Sequence, residues 1–303
     1  MSNACKKLWL ALAALTALAA LAQAGASFAG GLMDWPDLMD RPSPSPTHRI
    51  AYGPGPLQFG ELWLPAGQGP FPVVLMIHGG CWRSSVARLG IMNWAADDLR
   101  RRGYAVWNIE YRGVDTPGGG YPGSFQDVAA AADALERLGP SYHLKTDRVL
   151  ALGHSAGGHF ALWLAARGRI PAGSVLRSAH PLPIAGVISL GGLPDLQLDR
   201  QQGVCGDGTL AALVGPSMPR HPDVYADTSP AAMGVGPDAE TLISGAEDGI
   251  SPPALAAAYL ARMKGAHIRQ FVLADTGHVE LIAPGSAAWS RATESIDAFF
   301  RSP

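Results

Sequence analysis

The sequence predicts an α/β fold, a mostly parallel eight-stranded sheet with helices on both faces and a cap insertion. Three observations carry this. Short apolar runs recur along the chain, amphipathic helical patterns fill the intervals between them, and one proline-rich stretch breaks the alternation.

Strands are expected at 49–52, 58–64, 73–77, 104–110, 148–152, 185–190, 241–244 and 268–273. Several are apolar throughout, as strands buried on both faces of a parallel sheet must be. Phe125, Val128, Ala132, Leu135 and Leu138 recur at spacings of three and four, the stripe of an amphipathic crossover helix. Ser124 is expected to cap it, with Asp127 at the matching third position. Trp289, Ala292, Ile296 and Phe299 repeat the pattern near the C-terminus behind Ser286, a second expected cap. The stretch at about 193–237 holds Pro194, Pro216, Pro219, Pro222, Pro230 and Pro237. It is too long for an ordinary connection and is expected to form a cap over the site.

The chain of 303 residues is 48% hydrophobic and 16% charged, which suits one large buried core and excludes a disordered chain. Its formal net charge of -2 offers no basic field, so nucleic acid is excluded as a partner. Residues 1–29 are expected to be a secretory signal peptide. Lys6 and Lys7 precede an apolar run from Leu8 to Leu21, and small-residue patterns favour cleavage after Ala24 or Ala29. That run falls short of the roughly twenty residues needed to span a bilayer, so no stable membrane anchor is expected once it is removed. The expected location is secreted or periplasmic. Residues 30–47, with Pro42, Pro44 and Pro46 alternating with serine and threonine, are expected to be an extended leader, and the domain to occupy 48–303. After cleavage two cysteines remain, Cys81 and Cys205. An oxidising compartment permits them to pair, and the sequence leaves open whether they do.

The chemistry-bearing motif is Gly153-His154-Ser155-Ala156-Gly157, directly after an apolar strand. Gly-x-Ser-x-Gly serves a sharp strand-to-helix turn in which the glycines remove side chains that would collide, exposing the serine hydroxyl at a helix N-terminus. Upstream, His78-Gly79-Gly80-Cys81-Trp82 ends another strand. Acyl transfer develops an oxyanion that needs preorganised donors, and the backbone N–H groups of Gly80, Cys81 and Ala156 are the candidates. Trp82 and His154 are candidate pocket residues, Trp82 being equally compatible with a place in the core.

A nucleophilic serine needs a base and an orienting carboxylate, in the chain order Ser, acid, His for this architecture. Asp248 follows the 241–244 strand and His278 follows the last one, making them the candidate acid and base. Asp195 and Glu247 are rival acids, while Asp275 is expected to shape the turn before His278. His78 is expected to brace the glycine loop, and His159 to be a packed or hydrogen-bonded neighbour of the serine. Gly118-Gly119-Gly120 lacks the Gly-Lys-Ser/Thr ending of a phosphate loop, and neither His-Glu-x-x-His nor Cys-x-x-Cys spacing occurs, so neither a metal nor a cofactor is expected.

Together these segments, with Glu110-Tyr111-Arg112, Gly118–Gly123 followed by Phe125 and Asp127, Gly245–Asp248 and Gly277-His278, resemble the α/β-hydrolase superfamily, in particular its esterase and kynurenine-formamidase-like branch. The resemblance runs from about Gln58 onward. It implies Ser155 as nucleophile, Asp248 as orienter, His278 as general base and Gly80, Cys81 and Ala156 as oxyanion donors. The expected activity is hydrolysis of a small-molecule carboxylic ester through an acyl-enzyme. The alternatives are cleavage of an amide on the same triad, as by an arylformamidase, and a catalytically idle binding protein on the same scaffold.

Overall fold

The sheet has eight strands, β1 (His48–Ala51), β2 (Phe59–Trp63), β3 (Phe71–Ile77), β4 (Ala105–Ile109), β5 (Leu144–His154), β6 (Ile184–Leu190), β7 (Glu240–Gly245) and β8 (Ile268–Leu273), in the order β1-β2-β4-β3-β5-β6-β7-β8. β1 with β2 and β2 with β4 are antiparallel, and all later pairings are parallel. The computed structural model describes residues 31–219, 221–234, 236, 239–263 and 267–302, with one compact unit from Met33 onward. The expected signal peptide, residues 1–29, lies outside the described residues. No helix among the described residues is long and apolar enough to cross a membrane.

Alternation along the central strands splits the core in two. Val73, Leu75 and Ile77 of β3 face one apolar cluster together with α3 (Gly123–Tyr142) and α4 (Ala156–Ala166). Val74 and Met76 face the other with α2 (Asn93–Arg101) and the C-terminal α9 (Ala287–Arg301). Because successive strand side chains point to opposite faces, a strand covered on both sides must be apolar at every position, and this is why β3 and the second half of β5 read as unbroken hydrophobic runs.

All eight expected strands are present, and Ser286 caps α9 by accepting the Trp289 N–H at 2.9 Å. The cap expected of Ser124 is not made. The helix starts at Gly123, two residues earlier than a Ser124 cap requires, and the Ser124 hydroxyl donates to the Arg112 carbonyl and accepts the Gly120 N–H. Asp127 is claimed instead by the Arg112 guanidinium, at 2.7 Å to each carboxylate oxygen, and by Gln58. A buried carboxylate gains more from a bidentate arginine than from a solvated helix end.

Two further expectations are corrected. The leader 30–47 is not simply extended, because Trp35–Met39 form a short helix, α1, with Pro36 in its first turn and Leu38 fully buried in the second apolar cluster. The insertion after β6 carries α5 (Leu196–Gln201), α6 (Asp207–Val214) and α7 (Pro230–Met233), followed by α8 (Pro253–Arg262) after β7. It does not drape over the pocket that holds Ser155. It packs on the α3 and α4 side, where Trp163 Nε1 donates to the Asp227 carbonyl, His159 Nε2 donates to the Thr228 carbonyl, and Tyr121 stacks on His221 with ring centroids 4.2 Å apart. Pro237 of the expected cap lies outside the described residues.

Candidate active site

β5 ends at His154 and α4 begins at Ala156, so Ser155 alone makes the turn, with φ 54° and ψ -123°. A non-glycine residue in that region is strained and persists only where its surroundings enforce it. They do so here by close approach. A Cβ on Gly153 would lie 2.0 Å from the Gly157 carbonyl oxygen, and one on Gly157 would lie 2.1 Å from that of Ile77. Both glycines of the motif are therefore steric requirements of the turn. The Ser155 N–H donates to the Leu190 carbonyl at 2.8 Å, tying the turn to the end of β6.

The β3 loop runs alongside. Gly80, Cys81 and Trp82 take φ values of 108°, 50° and 54°, and a Cβ on Gly79 would come within 2.9 Å of Ser155 Cβ. Among the described residues no acceptor faces the backbone N–H of Gly80, Cys81 or Ala156. His78 braces the loop, one ring nitrogen donating to the Gly79 carbonyl at 2.7 Å and the other to Glu110 at 2.9 Å, with Tyr111 stacked on the ring. Burial works to raise the Glu110 carboxyl, but His78 and the N–H groups of Tyr111 and Leu89 hold it below its ordinary value. The sequence marks Glu110 only as part of the Glu110-Tyr111-Arg112 segment directly after β4, with no sign of its partner His78.

His278 Nδ1 donates to Asp248 Oδ2 at 2.7 Å, and the other oxygen of Asp248 accepts the N–H groups of Ile250 at 2.9 Å and Ser251 at 2.8 Å. Both side chains are buried. Gly191, with φ 52°, lets the β6 loop pass against this pair, since a Cβ there would be 3.0 Å from Asp248 Oδ2. His278 and Ser155 line one pocket of about 330 Å³ together with Gly80, Cys81 and His154. The His154 ring lies 4.4 Å from that of His278, and its Nε2 donates to the His278 carbonyl. Burial first, then the neighbouring His278, push the His154 pKa well below its ordinary value, so this ring is neutral.

The rivals fall elsewhere. Asp195 caps α5 through the N–H groups of Gln197 and Leu198 and pairs with Arg262 at 3.1 Å, and Glu247 accepts the Thr276 N–H. Asp275, at φ 50°, shapes the turn before His278. Trp82 is corrected from candidate pocket residue to core. It is fully buried, and its Nε1 donates to His159 Nδ1 at 3.2 Å. Burial lowers the His159 pKa to about 4, keeping that nitrogen free to accept. Cys81 and Cys205 form a disulfide with Cα atoms 5.5 Å apart, fastening the β3 loop to the insertion. Among the described residues no group of three or more His, Cys, Asp or Glu side chains is placed to hold a metal ion.

The strand order, the serine turn after β5 and the acid and histidine loops after β7 and β8 define the α/β-hydrolase fold. Solved structures agree. A truncated carbohydrate esterase from gut microbiota superposes with a TM-score of 0.70 at 19% identity, over 90% of this chain and all of that one. Esterase B from Lactobacillus rhamnosis gives 0.66 at 20% identity over 96% of each chain, and Thermogutta terrifontis esterase 2, in a form phosphoramylated by tabun, gives 0.66 at 16% over 88% of this chain and 97% of that one. No curated protein matches. The BD-FAE family model matches residues 61–259, about two-thirds of the chain, and the chain belongs to that family.

Proposed function

We propose that this protein is an exported serine hydrolase that cleaves carboxylic esters through an acyl-enzyme. The observation that carries this is the buried Asp248–His278 pair sharing a pocket with Ser155, which is presented on a strained turn beside unpartnered backbone donors. His278 takes the proton of Ser155 as the hydroxyl attacks the ester carbonyl, and it delivers that proton to the departing alcohol. Water, deprotonated by the same imidazole, then attacks the acyl group and frees the acid and Ser155. Asp248 fixes the tautomer with Nδ1–H toward itself and stabilises the imidazolium that forms. Gly80, Cys81 and Ala156 donate to the oxyanion at both tetrahedral stages. The similar solved structures, a carbohydrate esterase and esterase B, point the same way.

Residues 1–29 act as the signal peptide in this proposal, and a disulfide suits the oxidising compartment that follows. Protein recovered outside the cytoplasm should begin at residue 25 or 30 by N-terminal sequencing. The activity is tested with Ser155→Ala on a short aryl ester. A loss on the order of 10⁴-fold or more, with an unchanged circular dichroism spectrum, is expected. Retained turnover would refute the assignment.

A further inference from the structure

The family-model match begins at residue 61, yet part of the pocket wall comes from outside it. Trp35 and Met39, four residues apart and so on one face of α1, line the same pocket as Ser155 and His278. Trp35 meets the His154 ring edge-on at 6.2 Å. Leu38, on another face, is buried in the core and anchors the helix. The segment is also pinned by hydrogen bonds. Trp94 Nε1 donates to the Pro42 carbonyl at 3.1 Å, and Asn93 donates to the Ser43 hydroxyl. Glu280 accepts the Met33 N–H with one carboxylate oxygen and the Gly277 N–H with the other, so a single side chain fixes both the start of the wall and the residue before His278.

The remaining lining adds Val86, Ala87, Ile91 and Ile250, and no Asp, Glu, Lys or Arg among the described residues. Met39, Val86 and Ile250 are 41%, 61% and 44% exposed, so large apolar side chains meet water around the pocket that holds Ser155. A charged or heavily hydroxylated group in this pocket has few partners beyond the reacting centre, whereas an apolar group has a surface on each side.

We infer that α1 is a specificity wall, Trp35 and Met39 binding an apolar group of the ester substrate several carbons long. This rests on the esterase reading. Each methylene moved from water into such a contact is worth about fourfold in affinity.

The test is kcat/KM of wild type, Trp35→Ala, Trp35→Leu and Met39→Ala on two series. One holds p-nitrophenol as the alcohol and lengthens the acyl group from acetyl to hexanoyl. The other holds acetate and lengthens the alcohol from methyl to hexyl. Wild type should prefer the longer member of at least one series. Trp35→Ala should cut that preference by about tenfold, mainly through KM on the longer members. Trp35→Leu and Met39→Ala should fall between. The series that responds identifies the acyl or the alcohol side. An unchanged or increased preference in both series overturns the inference, as does an equal loss on every chain length in both Trp35→Ala and the bulk-retaining Trp35→Leu. If wild type hydrolyses no ester of either series, it is the esterase reading that has failed. Ester turnover abolished by Ser155→Ala but with a chain-length preference indifferent to Trp35 removes the wall alone.

Discussion

The loop after β7 and the insertion after β6 leave the same edge of the sheet, and each buries an aspartate, with opposite results. Asp248 is fully provided for, with two backbone N–H groups on one oxygen and His278 on the other. Asp199 of α5 is buried with neither oxygen partnered. A tight turn supplies converging donors to an ionised carboxylate, whereas a helix interior has already committed its N–H groups to its own carbonyls. Burial alone therefore does not mark a catalytic acid. The donor count is what separates these two carboxylates.

The sharpest way to break that comparison is to neutralise each region's candidate acid. Asp248→Asn should lower kcat by about 10⁴-fold, because an amide cannot hold Nδ1–H of His278 toward itself or stabilise the imidazolium. Asp195→Asn should leave kcat within about threefold and act on stability, since Asp195 only caps α5 and pairs with a half-exposed arginine. Steady-state kinetics on one aryl ester distinguishes the two, and a larger fall for Asp195→Asn would move the acid to the insertion.

The insertion does reach the site at one point, Cys205, and cutting that tether sharpens the comparison. The double variant Cys81→Ser, Cys205→Ser keeps the backbone N–H of residue 81 and removes only the covalent link across 124 residues. Loop-closure entropy puts its stability about 5 kcal/mol lower, measurable by urea unfolding. kcat should fall by about tenfold, less than deleting an oxyanion donor outright, because the loop still has Gly80 in place and His78 behind it. Unchanged kcat would mean that His78 and Glu110 hold the loop unaided.

What was legible in the sequence follows the same division. The strands announce themselves because each must be apolar on two faces, and the serine, acid and histidine loops because each motif answers a local backbone demand, as the 2.0 Å approach at Gly153 makes plain. α1 was not legible. It is five residues long, with Pro36 in its first turn, and owes its existence to the docking of Leu38 rather than to any periodicity of its own. Trp82 in the glycine loop fits pocket or core equally well by sequence, and it is the acceptor on His159, distant in the chain, that takes it into the core. The pairing of Cys81 with Cys205 depends on how the insertion folds back, which no spacing records.

The smallest effect concerns Asp199, and its sign is opposite to that of the others. Burial, reinforced by the charge of Asp195, raises the Asp199 pKa from 3.8 to about 8. In the unfolded chain the carboxyl ionises near its ordinary value. Below pH 4 both states hold the proton and the group costs nothing extra. Between about pH 4 and pH 8 the unfolded chain releases it while the folded one retains it, so folding stability declines as pH rises through that window and levels off above it. Asp199→Asn keeps the shape and removes the titration. The variant should match wild type near pH 4 and exceed it by at least about 1 kcal/mol at pH 8.5, read from urea midpoints at the two pH values, with kcat unchanged. The same substitution at Asp248 should destabilise at neutral pH, because there an ionised carboxylate already has every donor it needs. If both variants shift stability in the same direction, the donor count is not what separates the two buried acids.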